Sequence, residues 1–268
     1  MLKKLYIFIL IVISLISLAP FYMMLMMSTQ YNEDIFKGMV LLPGNYFIQN
    51  FATVMKSKFY LYYLNSIYVS LFSTVLCLFI SSLTGYALSK YEFKLKKPIY
   101  YFIIMTMMVP SQIGLIGYVV EMRAMHINNT LLPLIIIWTT NAFGVFWMTQ
   151  YISQAVHSEL IESARMDGCN DFGIFIKIVL PCIKPAIATL SMVIFLWSWN
   201  NYLLPLVIVS NSGLFTIPLG ISSLGGYYRT DYAARMTGLA FSTIPLIIIF
   251  ISGSKYFVRG LTAGAVKG

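Results

Sequence analysis

Six long runs without a charged residue constrain this chain more than any other feature of its sequence. A helix needs about 20 apolar residues, each rising 1.5 Å, to cross a bilayer, and lipid rarely tolerates charged side chains. The runs cover residues 5–32, 59–89, 98–120, 124–158, 185–228 and 236–254. The longest of them is broken by Asn211-Ser212-Gly213 and holds one span. The sequence therefore predicts six spans, near residues 5–27, 61–89, 98–120, 131–153, 185–209 and 236–257.

The composition agrees with a polytopic membrane protein. Hydrophobic residues make up 59% of the 268 residues and charged residues 10%, whereas soluble domains average about 45–50% and about 25%. A soluble fold of this size could not bury so much apolar surface, which excludes an ordinary cytosolic enzyme as well as a disordered chain. The net charge of +9 does not indicate nucleic-acid binding, because the cations flank the apolar runs and form no single stripe.

The distribution of Lys and Arg predicts the orientation. With the N-terminus inside the cell, the inner segments would hold 12 cations and the outer segments 6 of the 18 in the chain. An excess of Lys and Arg marks cytosolic loops. We therefore expect both termini and residues 154–184 to be cytosolic. The inner cations are Lys3, Lys4, Lys90, Lys94, Lys96, Lys97, Arg165, Lys177, Lys184, Lys255, Arg259 and Lys267.

Several kinds of chemistry are missing from the sequence. It contains no GxxxxGK[ST] phosphate-binding loop, so we expect no ATP hydrolysis by the chain itself. His126 and His157 lie in predicted loops without a second ligand at metal-binding spacing, and no cofactor or metal is expected. An intramembrane enzyme is the rival hypothesis from another class. It would need an activated nucleophile inside a span, and no predicted span carries a His to activate a Ser.

The segment between the fourth and fifth predicted spans has the most specific pattern. Helix-forming residues fill most of 159–166, and Leu160, Ala164 and, less ideally, Ile161 are spaced to share one side of a helix. Glu159 and Glu162 lie in the first turns, where the helix dipole favours acids. Asp167-Gly168 would end the helix, since glycine is the usual residue at such a C-terminus. A second short amphipathic stretch, 170–179, leads to Pro181.

This segment resembles the EAA signature of permease subunits in ATP-binding-cassette (ABC) importers. Glu162, Ala164 and Gly168 have the spacing Glu-x-Ala-x-x-x-Gly, and Ile178-Val179-Leu180-Pro181 follows after nine residues. Ser163 stands where the family usually has its first Ala, a small residue in place of another. The rest of the chain resembles carbohydrate-uptake permeases of the maltose-permease second-subunit type. The matching pieces are Asn65-Ser66, Gly85-Tyr86-Ala87, Val109-Pro110, Asn129-Thr130, Trp199-Asn200 and the terminal run 260–268.

The resemblance implies an all-α, six-span permease of the type I importer fold, forming one transmembrane domain over residues 1–268 with a cytosolic coupling loop at 154–184. It implies a second homologous permease subunit, two ATP-binding subunits, and an extracellular solute-binding lipoprotein or periplasmic binding protein that delivers a sugar. The helix 159–167 would lie in a groove of one ATP-binding subunit and pass on its closure. The coupling residues would be Glu159, Glu162, Ser163, Ala164, Arg165, Asp167 and Gly168.

Candidates for the solute pathway are less specific. Trp199, Asn200 and Tyr202 place aromatic faces and amides beside the fifth span, and Asn141 adds an amide on the fourth. Aromatic faces stack on the C–H surfaces of sugars, and amides hydrogen-bond their hydroxyls. A belt of Trp and Tyr at headgroup depth is the alternative interpretation of the aromatic residues. An unpaired amide in lipid needs a partner, which makes Asn200 the better pathway candidate.

We therefore expect a sugar importer subunit in the cytoplasmic membrane of a bacterium, in contact with membrane lipid. An oligosaccharide is the expected solute. The alternative is an ABC permease for a related polar solute, such as a polyol or glycerol phosphate.

Overall fold

The computed structural model describes residues 2–226 and 229–263, with side chains over 3–225 and 230–254. These residues are helical apart from loops and one antiparallel pair of two-residue strands, Gly225–Gly226 and Arg229–Thr230. The all-α prediction is confirmed. The helices are α1 (Leu2–Met27), α2 (Phe47–Lys56), α3 (Phe59–Lys90), α4 (Lys96–Thr106), α5 (Ser111–Ala124), α6 (Leu132–Thr139), α7 (Ala142–Ala155), α8 (Ser158–Met166), α9 (Asp171–Ile174), α10 (Leu180–Cys182), α11 (Lys184–Trp199), α12 (Leu203–Ile208), α13 (Ile217–Ser222) and α14 (Tyr232–Ala263). Of the predicted terminal run 260–268, residues 264–268 lie outside the described residues.

The number of spans agrees with the prediction if two bent helix pairs each count as one. Among the described residues, four helices are long and apolar enough to cross a membrane: Lys3–Met27, Phe59–Lys90, Leu132–Ala155 and Tyr232–Ser254. Two further pairs meet this condition only together, and they are bent by 100° and 80°. They are Lys96–Thr106 with Ser111–Ala124, and Asp171–Cys182 with Lys184–Trp199.

The third predicted span, 98–120, is bent into two helices. Helix α4 ends at Thr106, and α5 begins at Ser111 after a bend of 100°. Pro110 explains the break, since it has no N–H to donate and disfavours helical geometry in the residue before it. It adopts φ −58° and ψ 125° immediately before α5.

The fifth predicted span, 185–209, is also interrupted. Helix α11 ends at Trp199, and the short α12 begins only at Leu203. Two amides stabilise the interruption by binding the backbone, as Asn side chains do when they compete with helical bonds. Asn200 Nδ2 donates to the Leu196 carbonyl at 2.9 Å, and Asn201 Oδ1 accepts from the Leu204 N–H at 3.0 Å.

The structure divides into two compact units. The first comprises the described residues of Met1–Leu64 and Phe215–Leu246. Its segment after α1 is fixed by the buried Asn50, whose Nδ2 donates to the carbonyls of Ser28 at 2.9 Å and Gln30 at 2.8 Å. Asn32 Oδ1 accepts from the Tyr232 N–H at 2.7 Å, at the start of α14. The stretch between α1 and α2 is thus an ordered structure held by amide hydrogen bonds.

The second unit comprises Asn65–Leu214 and the described residues of Ile247–Gly268. Its core is built from apolar residues of α7, α8, α9, α11 and the π-helical turn Phe175–Val179. Close approach of α3 and α7 depends on Gly85: a Cβ there would lie 2.8 Å from Met148 Cβ and 2.9 Å from its carbonyl carbon. Fully buried members of the core include Met148, Ile152, Val156, Val179, Ile183 and Ile194.

Candidate functional site

The helix predicted at 159–167 is present as α8, Ser158–Met166. His157 precedes it in an extended conformation and makes no side-chain cap, and Glu159 lies in the first turn. Ile161 and Ala164 are buried in the core together with Ile174 and Phe175. Leu160 does not share this side, as the sequence predicted, but is 46% exposed. Adjacent helical residues point about 100° apart. Because Ile161 and Ala164 form the buried face, Leu160 points away from it.

The end of α8 is a Schellman motif, as predicted for a helix that stops at glycine. Gly168 has φ +80°, the left-handed conformation that a residue without Cβ adopts at little cost. Its N–H donates to the Arg165 carbonyl, and the Cys169 N–H donates to the Ala164 carbonyl, both at 3.0 Å. These two bonds satisfy carbonyls that the helix end leaves open. Asn170 then caps α9 by accepting from the Gly173 N–H at 2.7 Å.

The other side of α8 is exposed and carries both charge and apolar surface. Met166 is 88% exposed, a large value for a hydrophobic side chain, and Leu160 is 46% exposed. An exposed apolar patch rimmed by polar groups is typical of a protein–protein contact. The exposed polar residues of this segment are Glu159, Glu162, Ser163, Arg165 and Asp167.

Arg165 is the charged residue of α8 with the most extensive contacts. Its Nη2 and Nε lie 3.0 and 3.3 Å from Asp171 Oδ1, and its guanidinium carbon lies 5.4 Å from the centre of the Tyr91 ring. The hydrogen bond to Asp171 raises the pKa of Arg165 further above its usual value, which keeps the group charged. Burial, together with hydrogen bonding to Tyr86 and Asp171, raises the pKa of Tyr91, so this phenol stays neutral.

A cavity of about 690 Å³ lies where three helix interruptions come together. The interruptions are the α4–α5 bend with Pro110, the α6–α7 break at Thr140 and Asn141, and the α11–α12 break with Asn201. Non-helical backbone at membrane depth is tolerated only inside protein or beside a water-filled space. The volume lies within the range of small-molecule sites, about 300–1,000 Å³. We call this space the three-break cavity.

Aromatic rings and neutral polar groups line the three-break cavity. The Trp138 and Trp197 ring centres are 6.4 Å apart, and Phe143 lies 5.4 Å from Trp197. Trp197 is 44% exposed and therefore offers ring surface to the cavity. Among the described residues that line it, none is Asp, Glu, Lys, Arg or His. The polar lining residues are Thr106, Ser111, Gln112, Thr140, Asn141 and Asn201.

The four pathway candidates predicted from the sequence lie in different surroundings in the structure. Asn141 lines the three-break cavity and also caps α7, accepting from the Gly144 N–H at 3.1 Å. Trp199 is only 2% exposed and stacks on Phe195 with ring centres 5.5 Å apart. Asn200 binds its own helix end, and Tyr202 is partly exposed outside the cavity lining.

Sequence reasoning missed Trp138 and Gln112 as lining residues. Trp138 stands in an apolar run, where a tryptophan normally indicates core or membrane interface. The break two residues later was the available signal, because Thr140-Asn141 supplies a natural helix cap. Within the part of the chain that the structure describes, no group of three or more His, Cys, Asp or Glu residues could hold a metal ion.

Comparisons with known proteins identify the family of this chain. Residues 78–263 match the family of binding-protein-dependent transport system inner membrane components. The arabinooligosaccharides transport system permease protein AraQ of Bacillus subtilis is 35% identical over 96% of this chain and 92% of its own length. The lactose transport system permease protein LacG of Rhizobium radiobacter is 31% identical over 94% of this chain and 92% of its own.

Solved structures give the same fold. A chain of a bacterial ABC transporter involved in the import of the acidic polysaccharide alginate superposes with a TM-score of 0.81 and 25% identity, covering 95% of this chain and 96% of that one. A chain of the MetNI methionine ABC transporter has a TM-score of 0.57 at 15% identity, covering 74% and 93%. The fold is that of a type I ABC importer permease. The chain belongs to the family of binding-protein-dependent transport system inner membrane components, and it is a transport permease subunit, not an enzyme.

Proposed function

We propose that this permease subunit translocates a neutral sugar, an oligosaccharide, through a path that includes the three-break cavity. The observation that carries the proposal is the convergence of three interrupted helices on one space lined by tryptophans and amides. Interrupted helices expose backbone N–H and C=O groups, and sugars are rich in hydroxyls that can bind them. The names of the permeases AraQ and LacG, which refer to arabinooligosaccharides and lactose, support a sugar.

The neutral lining distinguishes this proposal from its alternative. A glycerol phosphate would enter the cavity as an anion, and desolvating it without a cationic partner would be costly. In the part of the chain that the structure describes, no lining residue could pair with such a charge. An uncharged polyol shares the chemistry of sugars, but it lacks the ring C–H faces that would stack on Trp138 and Trp197. The cavity therefore favours a neutral sugar.

Energy would reach this path from two ATP-binding subunits, through α8. Ile161 and Ala164 hold α8 in the core, and Gly168 fixes its end, so the helix can move as a unit with its surroundings. Its exposed face would dock in a groove of an ATP-binding subunit, with Leu160 and Met166 as apolar contacts. The coupling residues we propose are Glu159, Glu162, Ser163, Ala164, Arg165, Asp167 and Gly168.

The assembly we propose contains a second, homologous permease subunit, since one six-span chain encloses only part of a path. A solute-binding lipoprotein or periplasmic binding protein would deliver the sugar outside a bacterial cytoplasmic membrane. Residues 1–268 would act as one transmembrane domain in lipid, with both termini and residues 154–184 cytosolic. The cation distribution supports this orientation. Cysteines at the exposed positions Ser163 and Asn45 test it: the first should react only with cytosolic thiol reagents and the second only with external ones.

Transport by the reconstituted complex tests the proposed function. Proteoliposomes holding both permeases and the ATP-binding subunits, supplied with the solute-binding protein, are offered radiolabelled arabino-oligosaccharide or glycerol 3-phosphate. We expect ATP-dependent uptake of the oligosaccharide alone. Asn141→Ala should reduce uptake because it removes both a cavity amide and a helix cap, a change that costs about 0.5–2 kcal/mol. The exposed Gln49→Ala, which lies outside the cavity lining, is the matched control. Uptake of glycerol 3-phosphate alone would contradict the proposal.

A further inference from the structure

Side-chain contacts connect the end of α8 to the end of α3. The Arg165 guanidinium lies over the Tyr91 ring, one residue beyond α3, and pairs at the same time with Asp171 at the start of α9. One cation, one carboxylate and one ring thus bring together three elements of the same unit.

The connection continues into the core. The Tyr91 ring packs edge-on against Tyr86, with centres 5.3 Å apart and an angle of 81°, and the two hydroxyls are 3.5 Å apart. Tyr86 lies on the last turns of α3 and packs against Phe175, with centres 5.8 Å apart. Phe175 is buried and opens the π-helical turn that follows α9. The contacts therefore run from the exposed Arg165 to residues inside the protein.

The covalent route from α8 toward α11 is less direct. It passes the left-handed Gly168, the π-helical turn Phe175–Val179 and a bend of 80° before α11 begins. Each of these interrupts regular α-helix, and π-helical turns are frequent at functional sites. A displacement of α8 would be partly absorbed along such a route. The ring and the ion pair give α8 a second attachment that bypasses these interruptions.

We infer that the Tyr91 ring is a platform for the Arg165 guanidinium that makes α8 and the end of α3 move together, so that movement of the ATP-binding subunit reaches the membrane helix. Tyr91 and Arg165 are then positioning residues, and Arg165 acts inside this chain. The inference rests on the proposed function. Arg165 and Asp171 are about half exposed, so their ion pair alone would contribute little, whereas the planar ring fixes the direction of the guanidinium.

Tyr91→Leu and Tyr91→Phe form the decisive pair of variants. Phenylalanine keeps the ring face that attracts a cation, and leucine keeps apolar bulk without it. The readout is sugar imported per ATP hydrolysed in the reconstituted complex, measured together with co-purification of the ATP-binding subunit. We expect Tyr91→Leu to lower this ratio about two- to fivefold, as fits an exposed cation–π contact, with the ATP-binding subunit still bound. Tyr91→Phe should stay closer to wild type. Phe93→Ala, in the same loop and exposed, is the control.

A distance measurement separates this inference from the proposed function. Spin labels at Ser89→Cys and Ser163→Cys, in the complex without Cys77, Cys169 and Cys182, report how α8 lies relative to α3 and need no sugar. Tyr91→Leu should broaden the distance distribution, and Tyr91→Phe should not. Unchanged distributions and unchanged import per ATP in Tyr91→Leu would overturn the inference, as would loss of the ATP-binding subunit from that variant. A wild-type complex that imports no sugar would refute the proposed function alone.

Discussion

Loop 154–184 and the three-break cavity both depend on interrupted helices, but they stabilise the interruptions in opposite ways. In the loop, backbone hydrogen bonds close the helix end at Gly168, and the π-helical turn packs into the core, with Ile174 and Val179 fully buried. At the cavity, the residues around Pro110 and Asn201 face an open space. Side-chain packing holds the π-helical turn of the first region, whereas the second region has room to change shape.

This difference fits two tasks. A segment that transmits movement of the ATP-binding subunit must resist deformation, and close-packed residues transmit strain well. A segment that lets a solute through must open and close, and interrupted helices can do so with little loss of packing. The expected effects of substitutions follow from this contrast: backbone and packing changes in the first region should be severe, and side-chain changes at the cavity should be graded.

The largest effect is expected where α3 packs on α7. Gly85→Val would place methyl groups against the backbone of Met148 and Thr149, which lie within 2.9 Å of a Cβ already. Overpacking of this kind costs about 1–3 kcal/mol, and more where backbone must move. We expect much less protein in the membrane, measured by immunoblot against Gly114→Val, where a Cβ meets nothing within 4 Å. Equal amounts of the two variants would mean that this packing is loose.

A smaller effect is expected from Gly168→Val. No atom lies within 4 Å of a Cβ there, so the cost comes only from φ +80° and should be about 1–3 kcal/mol. Insertion into the membrane should stay near normal. Solute-stimulated ATP hydrolysis should fall about tenfold, which corresponds to a free energy of about 1.4 kcal/mol. Gly168→Asn is the control, because asparagine tolerates this conformation. If Gly168→Val shows full solute stimulation of ATP hydrolysis and full assembly with the ATP-binding subunits, the loop is only a passive linker.

At the cavity, Trp197→Ala should weaken the binding of the solute moderately. Losing one ring of an aromatic site costs about 0.5–1.5 kcal/mol beyond the buried area, so the apparent KM for sugar uptake should rise about two- to tenfold. Basal ATP hydrolysis should not change, since Trp197 lies outside loop 154–184. Trp197→Phe should restore most of the affinity. An unaltered KM in Trp197→Ala would place the sugar elsewhere.

The smallest effect is expected at Ser163. It is exposed on α8, and alanine is also small and a better helix former by a few tenths of a kcal/mol. Ser163→Ala should leave assembly and stimulated ATP hydrolysis within about twofold of wild type. A large loss in co-purification of the ATP-binding subunit would show that the Ser163 hydroxyl itself makes a necessary hydrogen bond.

Local chemistry made the packed region predictable. Acids at the start, a Gly at the stop and apolar residues at helical spacing predict α8 to within one residue at each end, together with the left-handed Gly168. The Arg165–Tyr91 contact could not be foreseen, because the two residues are far apart in sequence and no local pattern joins them. Leu160 was assigned to the wrong face, since a short helix allows two apolar stripes and only tertiary packing chooses one.

The cavity was less predictable for a related reason. A proline such as Pro110 indicates a helix break directly. The break at Thr140-Asn141 depends on an amide that caps α7, and a mid-span amide also fits an unbroken helix. The face of each tryptophan depends on how the interrupted helices pack. Trp197 and Trp199 are two residues apart, yet the first borders the cavity and the second is buried.

The side from which a reagent can reach residue 141 tests the proposed solute path most directly. A cysteine at this position, in the complex without Cys77, Cys169 and Cys182, is exposed to a membrane-impermeant thiol reagent in two states. We predict labelling from outside when the ATP-binding subunits are trapped with a non-hydrolysable ATP analogue, labelling from the cytosol without nucleotide, and protection by sugar. Labelling only by lipid-soluble reagents, or from the same side in both states, would contradict a solute path at the three helix breaks.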